Sequence, residues 1–110
     1  MGFSDSRQNG VVVVRAEGQL IVGNRHELKE LVARRLAAGD RRFVIDFTNT
    51  GYIDSSGLGA LVTMSKQARE QGGEVRIAGL NDDLRALFEL TKLDTLFTIS
   101  DTADQALAAF

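Results

Sequence analysis

One carboxylate, two hydroxyls and two glycines stand together in Asp54-Ser55-Ser56-Gly57-Leu58-Gly59. The apolar run Phe43-Val44-Ile45-Asp46-Phe47 precedes them, and an apolar helical spacing begins at Leu58. Groups of these types can attack an ester, cradle a phosphate, hold a cation, cap a helix or accept a phosphoryl group.

Each chemistry has its own requirement. A hydrolase nucleophile needs Gly-x-Ser-x-Gly at a strand-to-helix turn. Around Ser55 the first of those glycines is Ile53, and the sole histidine, His26, stands in another segment. A phosphate-cradling loop fails as well. Gly57-Leu58-Gly59 lacks the third glycine of the dinucleotide fingerprint, and no Gly-Lys-Ser/Thr follows. Asp46 and Asp54 could hold Mg²⁺ only weakly, so neither metal nor cofactor is expected. Asp, Ser and Ser are all helix-capping types, which accept from the orphan amides of a first turn. Capping explains any one of them and leaves the three in a row less well explained. A hydroxyl at a helix amino terminus is also a good place for a phosphate, because unpaired N–H groups and the helix dipole favour an anion there. Phosphorylation adds about −1.5 to −2 charge at pH 7. Placed among Tyr52, Ile53 and Leu58, expected here as exposed apolar residues, it would reverse the character of a docking surface without unfolding the helix.

The remaining sequence predicts how that junction is positioned. Asn9-Gly10, between a segment from Phe3 and Val11-Val12-Val13-Val14, signals a hairpin, since both residues tolerate positive φ. The second strand runs to Gln19 or Leu20. Asn24 is expected to cap a helix, with Glu27 completing a capping-box-like pair. Leu28, Leu31, Val32 and Leu36 share one face of it, and Gly39 stops it. Phe43–Phe47 reads as a buried strand. A second helix spans residues 55–71 with Leu58, Leu61, Val62 and Ala68 inward, ended by Gln71-Gly72-Gly73. Glu74–Ala78 is a strand. Asn81-Asp82-Asp83 caps a helix carrying Leu84, Leu87 and Phe88. Leu96–Ile99 is a last short strand, and Asp101 caps a closing helix to Phe110. The order ββαβαβαβα implies an α/β fold: a mixed, mostly parallel sheet of four or five strands, an N-terminal hairpin and about four helices. Functional groups in such sheets gather at the strands' carboxyl ends, where residues 44–62 belong.

Bulk properties narrow the partners. A chain of 110 residues is expected to form one domain, 1–110, and its 44% hydrophobic and 25% charged content is that of a water-soluble globule. The net charge of −2 asks for neither nucleic acid nor an anionic membrane. The absence of cysteine fits a reducing cytosol. No segment reads as a signal peptide or a membrane span. Met1-Gly2 with Ser6 matches an acylation pattern, but Asp5 and the lack of a basic patch supply no second anchor. Arg34-Arg35 and Arg41-Arg42 read as cations at a helix carboxyl terminus. His26 reads as a surface residue. Asp46 reads as the end of a buried strand, where burial would raise its pKa; alternatively it accepts backbone N–H bonds in a Thr48-Asn49-Thr50-Gly51 turn.

Asp54-Ser55-Ser56-Gly57-Leu58-Gly59 after Val44-Ile45-Asp46-Phe47-Thr48-Asn49-Thr50-Gly51-Tyr52-Ile53 resembles the signature of STAS-domain anti-sigma factor antagonists, and the likeness extends over nearly the whole chain. That resemblance implies a bacterial, cytoplasmic partner-switching protein with no enzyme activity of its own. A serine-kinase anti-sigma factor would phosphorylate Ser55. The unphosphorylated form would bind that kinase and release a sigma factor, and a PP2C-type phosphatase would reset the cycle. Asp54 would orient the serine, Ser56 and Gly57 would shape the turn, and Tyr52, Ile53, Leu58 and Gly59 would meet the partner, with Asp46 a more distant candidate. Many relatives carry Gly-Glu-Leu-Asp, then a Thr/Ser-Ala pair, at the facing strand end. This chain has Gly18-Gln19-Leu20-Ile21-Val22-Gly23-Asn24, so Ile21 replaces a carboxylate at a kinase contact, and Asn24 is either a contact or a cap. The other reading of the resemblance is a constitutive STAS scaffold in a signalling or membrane-transport assembly, with Ser55 only a cap. Tyr52 and Ile53 could also serve a contact between two copies.

Overall fold

Asn9 and Gly10 both adopt positive φ, 54° and 78°. This closes a two-residue hairpin between β1 (Gly2–Gln8) and β2 (Val11–Leu20). The computed structural model describes residues 2–110; Met1, the first residue of the acylation pattern, lies outside them. The chain continues through α1 (Arg25–Ala37), β3 (Arg42–Ile53), α2 (Ser55–Glu70), β4 (Glu74–Ala78) and α3 (Asp82–Leu90). A 3₁₀ turn (Leu93–Thr95), β5 (Ile99–Ser100) and α4 (Ala103–Ala109) complete it. The five strands lie in the order β1-β2-β3-β4-β5, with β1 antiparallel to β2 and every other pair parallel. This is the expected α/β fold with its hairpin and four helices.

Alternation along the strands divides the core in two. Val12, Val14, Phe43, Ile45 and Phe47 pack with Leu28, Val32, Leu61, Met64 and Phe88 from α1, α2 and α3. Val11, Val13, Val44 and Ala78 face the other way, onto Ala106 of α4. A period of two puts successive residues on opposite faces, so a central strand buried on both faces reads as a continuous apolar run.

Four expectations are corrected. β3 continues six residues past Phe47, to Ile53. Thr48-Asn49-Thr50-Gly51 is therefore strand and not turn, because β-branched threonines fit a pleated ladder. Thr50 is buried and donates its hydroxyl to the Ala16 carbonyl at 2.8 Å, and two register shifts against β2 absorb the irregularity. Val62 is exposed, because Leu58, Leu61, Met64, Ser65 and Ala68 fill the inward stripe of α2. The last strand is Ile99–Ser100, since a left-handed Lys92 (φ 64°) and the 3₁₀ turn occupy the preceding chain. They deliver Phe97 edge-on to Phe88, with centroids 6.3 Å apart. The cap of α4 is Thr102, whose hydroxyl accepts from the Gln105 amide, while Asp101 pairs with Arg85 at 2.9 Å.

The end of α1 is held by ions. Gly39, at φ 103°, turns the chain, and buried Asp40 pairs with Arg7 of β1 at 2.9 Å and with Arg35 at 3.6 Å. Asp5 grips Arg35 at 2.6 Å, and that hydrogen bond above all holds the Arg35 guanidinium above its ordinary pKa. Arg41 donates to the carbonyls of Leu36 and Asp40, as a cation beyond a helix end should. Gly73, just before β4, lies so close to Arg41 that a Cβ would run into the Arg41 carbonyl oxygen. Gly73→Ala should therefore cost about 1–3 kcal/mol through overpacking, measured by urea unfolding against wild type. An unchanged midpoint would mean the strand start can shift freely.

Candidate functional site

β3 ends at Ile53 and α2 begins at Ser55, so Asp54 is the single residue between them. Its backbone is extended (φ −89°, ψ 176°), which turns the carboxylate back over the first turn of α2. Oδ1 accepts from the Gly57 amide at 2.7 Å. Oδ2 accepts from the Val22 amide, in the β2–α1 connection, at 3.1 Å. The Asp54 amide donates to the Leu20 carbonyl at 3.1 Å. One residue thus caps α2 and ties it to the facing loop.

Asn24 does different work from that expected. It makes no side-chain cap to α1. Its Oδ1 accepts from the Ile21 amide at 2.9 Å, and its Nδ2 donates to the Gln19 carbonyl at 2.8 Å. The side chain folds back on the loop because its own backbone (φ −130°, ψ −3°) is outside the extended region a cap requires. The capping-box reading of Asn24 and Glu27 is corrected accordingly. Ile21 is half-buried, and its carbonyl accepts from the amides of Asn24 and Arg25.

Ser55 is exposed and Ser56 half-buried. As the first two residues of α2, their amides have no helical acceptor, and neither hydroxyl is engaged among the described residues. Past its cap, α2 is also the one helix with no carboxylate in its first turn. Glu27 fills that place in α1, Asp82 and Asp83 in α3, and Asp104 in α4.

Ile53, expected to be exposed, is 2% exposed, and Leu58, expected both on the docking surface and on the inward face of α2, is 9% exposed, so the inward placement holds; both lie within the main core. Strand alternation and the inward stripe of α2 take them there. Tyr52 is exposed as expected, at 58%, and Val22, which sequence reasoning missed, is exposed at 62%. Val22 is recognisable only once Asp54 is seen to hold its amide.

The two glycines differ. A Cβ on Gly57 would lie 2.5 Å from the Leu20 carbonyl oxygen and 2.9 Å from Leu20 Cγ, so the α2 amino terminus rests directly on the end of β2. A Cβ on Gly59 would meet nothing within 4 Å.

Asp46 is not brought to this cluster. It is half-buried in the middle of β3, and its Oδ1 accepts from the Thr48 amide at 3.0 Å and the Thr48 hydroxyl at 2.5 Å. It is not a strand end, and the bonds it accepts lie within the strand. His26 is exposed. Among the described residues no group of three His, Cys, Asp or Glu could hold a metal ion, and no helix is long and apolar enough to cross a membrane.

Residues 4–106 match the STAS domain family. An anti-sigma-B factor antagonist of Staphylococcus aureus is 29% identical over 101 residues, covering 92% of this chain and 94% of that one. The solved Thermotoga maritima protein tm1081 is 26% identical with a TM-score of 0.91, over 97% of this chain and 92% of its own. The Bacillus cell fate determinant SpoIIAA, solved in its phosphorylated form, has the same fold at 17% identity, with a TM-score of 0.77 over 98% of each chain.

Asp54→Ala removes both acceptors at once. It should cost about 1–2 kcal/mol, read by chemical denaturation. It should also speed hydrogen exchange at the Val22 and Gly57 amides selectively. Exchange that stays slow at Val22 would show that the loop is held without Asp54.

Proposed function

The chain belongs to the STAS domain family, and we propose that it acts there as an anti-sigma factor antagonist switched by phosphorylation of Ser55. The unphosphorylated form binds a serine-kinase anti-sigma factor in the cytoplasm and so releases a sigma factor. The phosphorylated form does not bind, and a PP2C-type phosphatase restores it. Residues 1–110 work as one domain that binds and does not catalyse.

The observation that carries this reading is the state of Ser55. It is exposed at the start of α2, its amide and that of Ser56 lack helical acceptors, and the capping duty has already been taken by Asp54. A helix amino terminus with free amides and no carboxylate past its cap accommodates an added phosphate. The phosphate's charge would then stand beside exposed Tyr52 and Val22. An apolar partner surface that packs on those residues would have to desolvate a dianion, which is costly. Asp54 orients the turn, Ser56 and Gly57 shape it, and Ile21 and Asn24 form the facing wall, with Ile21 tuning the choice of kinase. Ile53 and Leu58 support the surface from beneath. Asp46 is left to the β3 framework.

Gly59 supports the same reading. A glycine inside a helix is destabilising by about 1 kcal/mol relative to alanine, and here no neighbour requires it. Its absent side chain leaves room for a partner to approach the α2 backbone one turn beyond Ser55.

Two experiments test the reading. In affinity capture from source-cell lysate with wild type, Ser55→Ala and Ser55→Asp as baits, an ATP-binding kinase should be held by the first two and lost by the third. Identical retention by all three would overturn the switch and leave Ser55 as a helix residue of a constitutive scaffold. Gly59→Ala should raise stability by about 1 kcal/mol while weakening capture of the same kinase. Unchanged capture would remove Gly59 from the interface.

A further inference from the structure

At the amino-terminal ends of β3 and β4, the opposite end of β3 from Ser55, three arginines line one cleft. Arg76 is pinned there. Its Nε donates to Glu74 at 2.8 Å, its Nη1 donates to the Ala109 carbonyl at 3.0 Å, and its guanidinium lies 4.0 Å above the centre of the Phe110 ring. Arg41 is pinned by two backbone carbonyls, those of Leu36 and Asp40. Arg42 is exposed, with no carboxylate partner among the described residues. These three arginines, Gly72, Gly73 and Phe110 line an open cleft of about 430 Å³. Glu74 is the only acidic side chain in its wall, and Arg76 already holds it. A neighbouring cavity of about 390 Å³ shares Gly73 and Glu74 and brings Arg69 to the other side of the same turn.

Arg76 has a counter-charge in Glu74, whereas Arg41 is held by neutral carbonyls and Arg42 has no carboxylate partner among the described residues, so positive charge exceeds negative along this wall. A ligand of opposite charge balances it. Guanidinium is a planar fork of donors that matches two oxygens of a phosphoryl group. Arg41 and Arg76 have already lost their rotamer freedom to internal bonds, which lowers the entropic cost of binding. The Phe110 ring adds an apolar wall for whatever the phosphoryl group is attached to.

We propose that this cleft binds a phosphoryl dianion, either free or as an organic monoester. The site is independent of Ser55, and a ligand there does not cover the Ser55 surface.

The test is an NMR titration of the full ¹⁵N-labelled chain with inorganic phosphate, against sodium chloride at matched ionic strength. Saturable shifts are expected at the Gly72 and Gly73 amides and at Arg76 Nε. Arg42→Gln should weaken binding roughly tenfold, the loss of one charged hydrogen bond. Arg34→Gln, an exposed α1 position outside this cavity, should leave it unchanged. Phenyl phosphate in place of phosphate separates the sources: tighter binding identifies an organic ester, equal binding the free ion. Shifts that chloride reproduces, equal weakening by both substitutions, or shifts confined to the Ser55 and Ser56 amides would overturn the site.

Discussion

The Asp54 carboxylate is the constraint on which the candidate site depends. Its two oxygens accept from amides in separate parts of the chain, Gly57 in α2 and Val22 after β2. Without it, the end of β2 and the start of α2 would meet only through the Leu20 carbonyl and apolar packing. With it, the geometry around Ser55 is fixed by groups other than Ser55. Altering a hydroxyl that holds no structure therefore leaves the framework intact. Asn24 extends the arrangement by bonding the loop backbone on either side of Leu20.

The two glycines near the start of α2 differ in what the fold asks of them. Gly57 is demanded by packing, since any side chain would enter the Leu20 carbonyl. Gly59 is demanded by nothing within the chain. A glycine inside a helix costs about 1 kcal/mol relative to alanine, and no contact within the chain offsets that cost at Gly59. Leu58 lies between them and points into the core. The run Gly57-Leu58-Gly59 thus alternates fold, fold and surface.

Much of this was legible in the sequence, and the failures have physical causes. The hairpin at Asn9-Gly10, the inward face of α1 and the helix start at Asp54 follow from local rules that act over a few residues. The Asp54 cap is legible because a capping residue before an apolar helical spacing marks a helix start. Thr48-Asn49-Thr50-Gly51 was misread because its composition is that of a turn, while pairing with β2 keeps it extended; Thr50 is buried through a partner 34 residues away, Ala16. The sequence alone leaves Ile53 at the surface, because the length of β3, and so its alternation, is set by pairing with β2. Asn24 fits a capping pattern in sequence but bonds backward along the chain, a choice set by its own φ and ψ. Val22 has no sequence signal at all, since its role rests on a bond to a residue 32 positions on.

The layout of charge follows from the topology. In crossovers between parallel strands the helices run back against the strands, so α1, α2 and α3 point their amino termini toward the Ser55 end and their carboxyl termini toward the Gly73 end. Macrodipoles then favour acids at the first end and bases at the second. Glu27, Asp82 and Asp83 lie in first turns, and Arg34, Arg35 and Arg69 in last turns. The dipoles account for those arginines and not for Arg42 and Arg76, which belong to strands β3 and β4. A strand end carries little net dipole; Glu74 balances Arg76 there, and Arg42 is left without a carboxylate among the described residues. At the other end the logic is reversed: the dipole of α2 favours an anion, and only the Asp54 cap precedes the two serines. The two ends of β3 thus differ in kind: one is an α2 amino terminus capped by Asp54 with exposed Ser55 beyond it, the other a cleft lined by three arginines and Glu74.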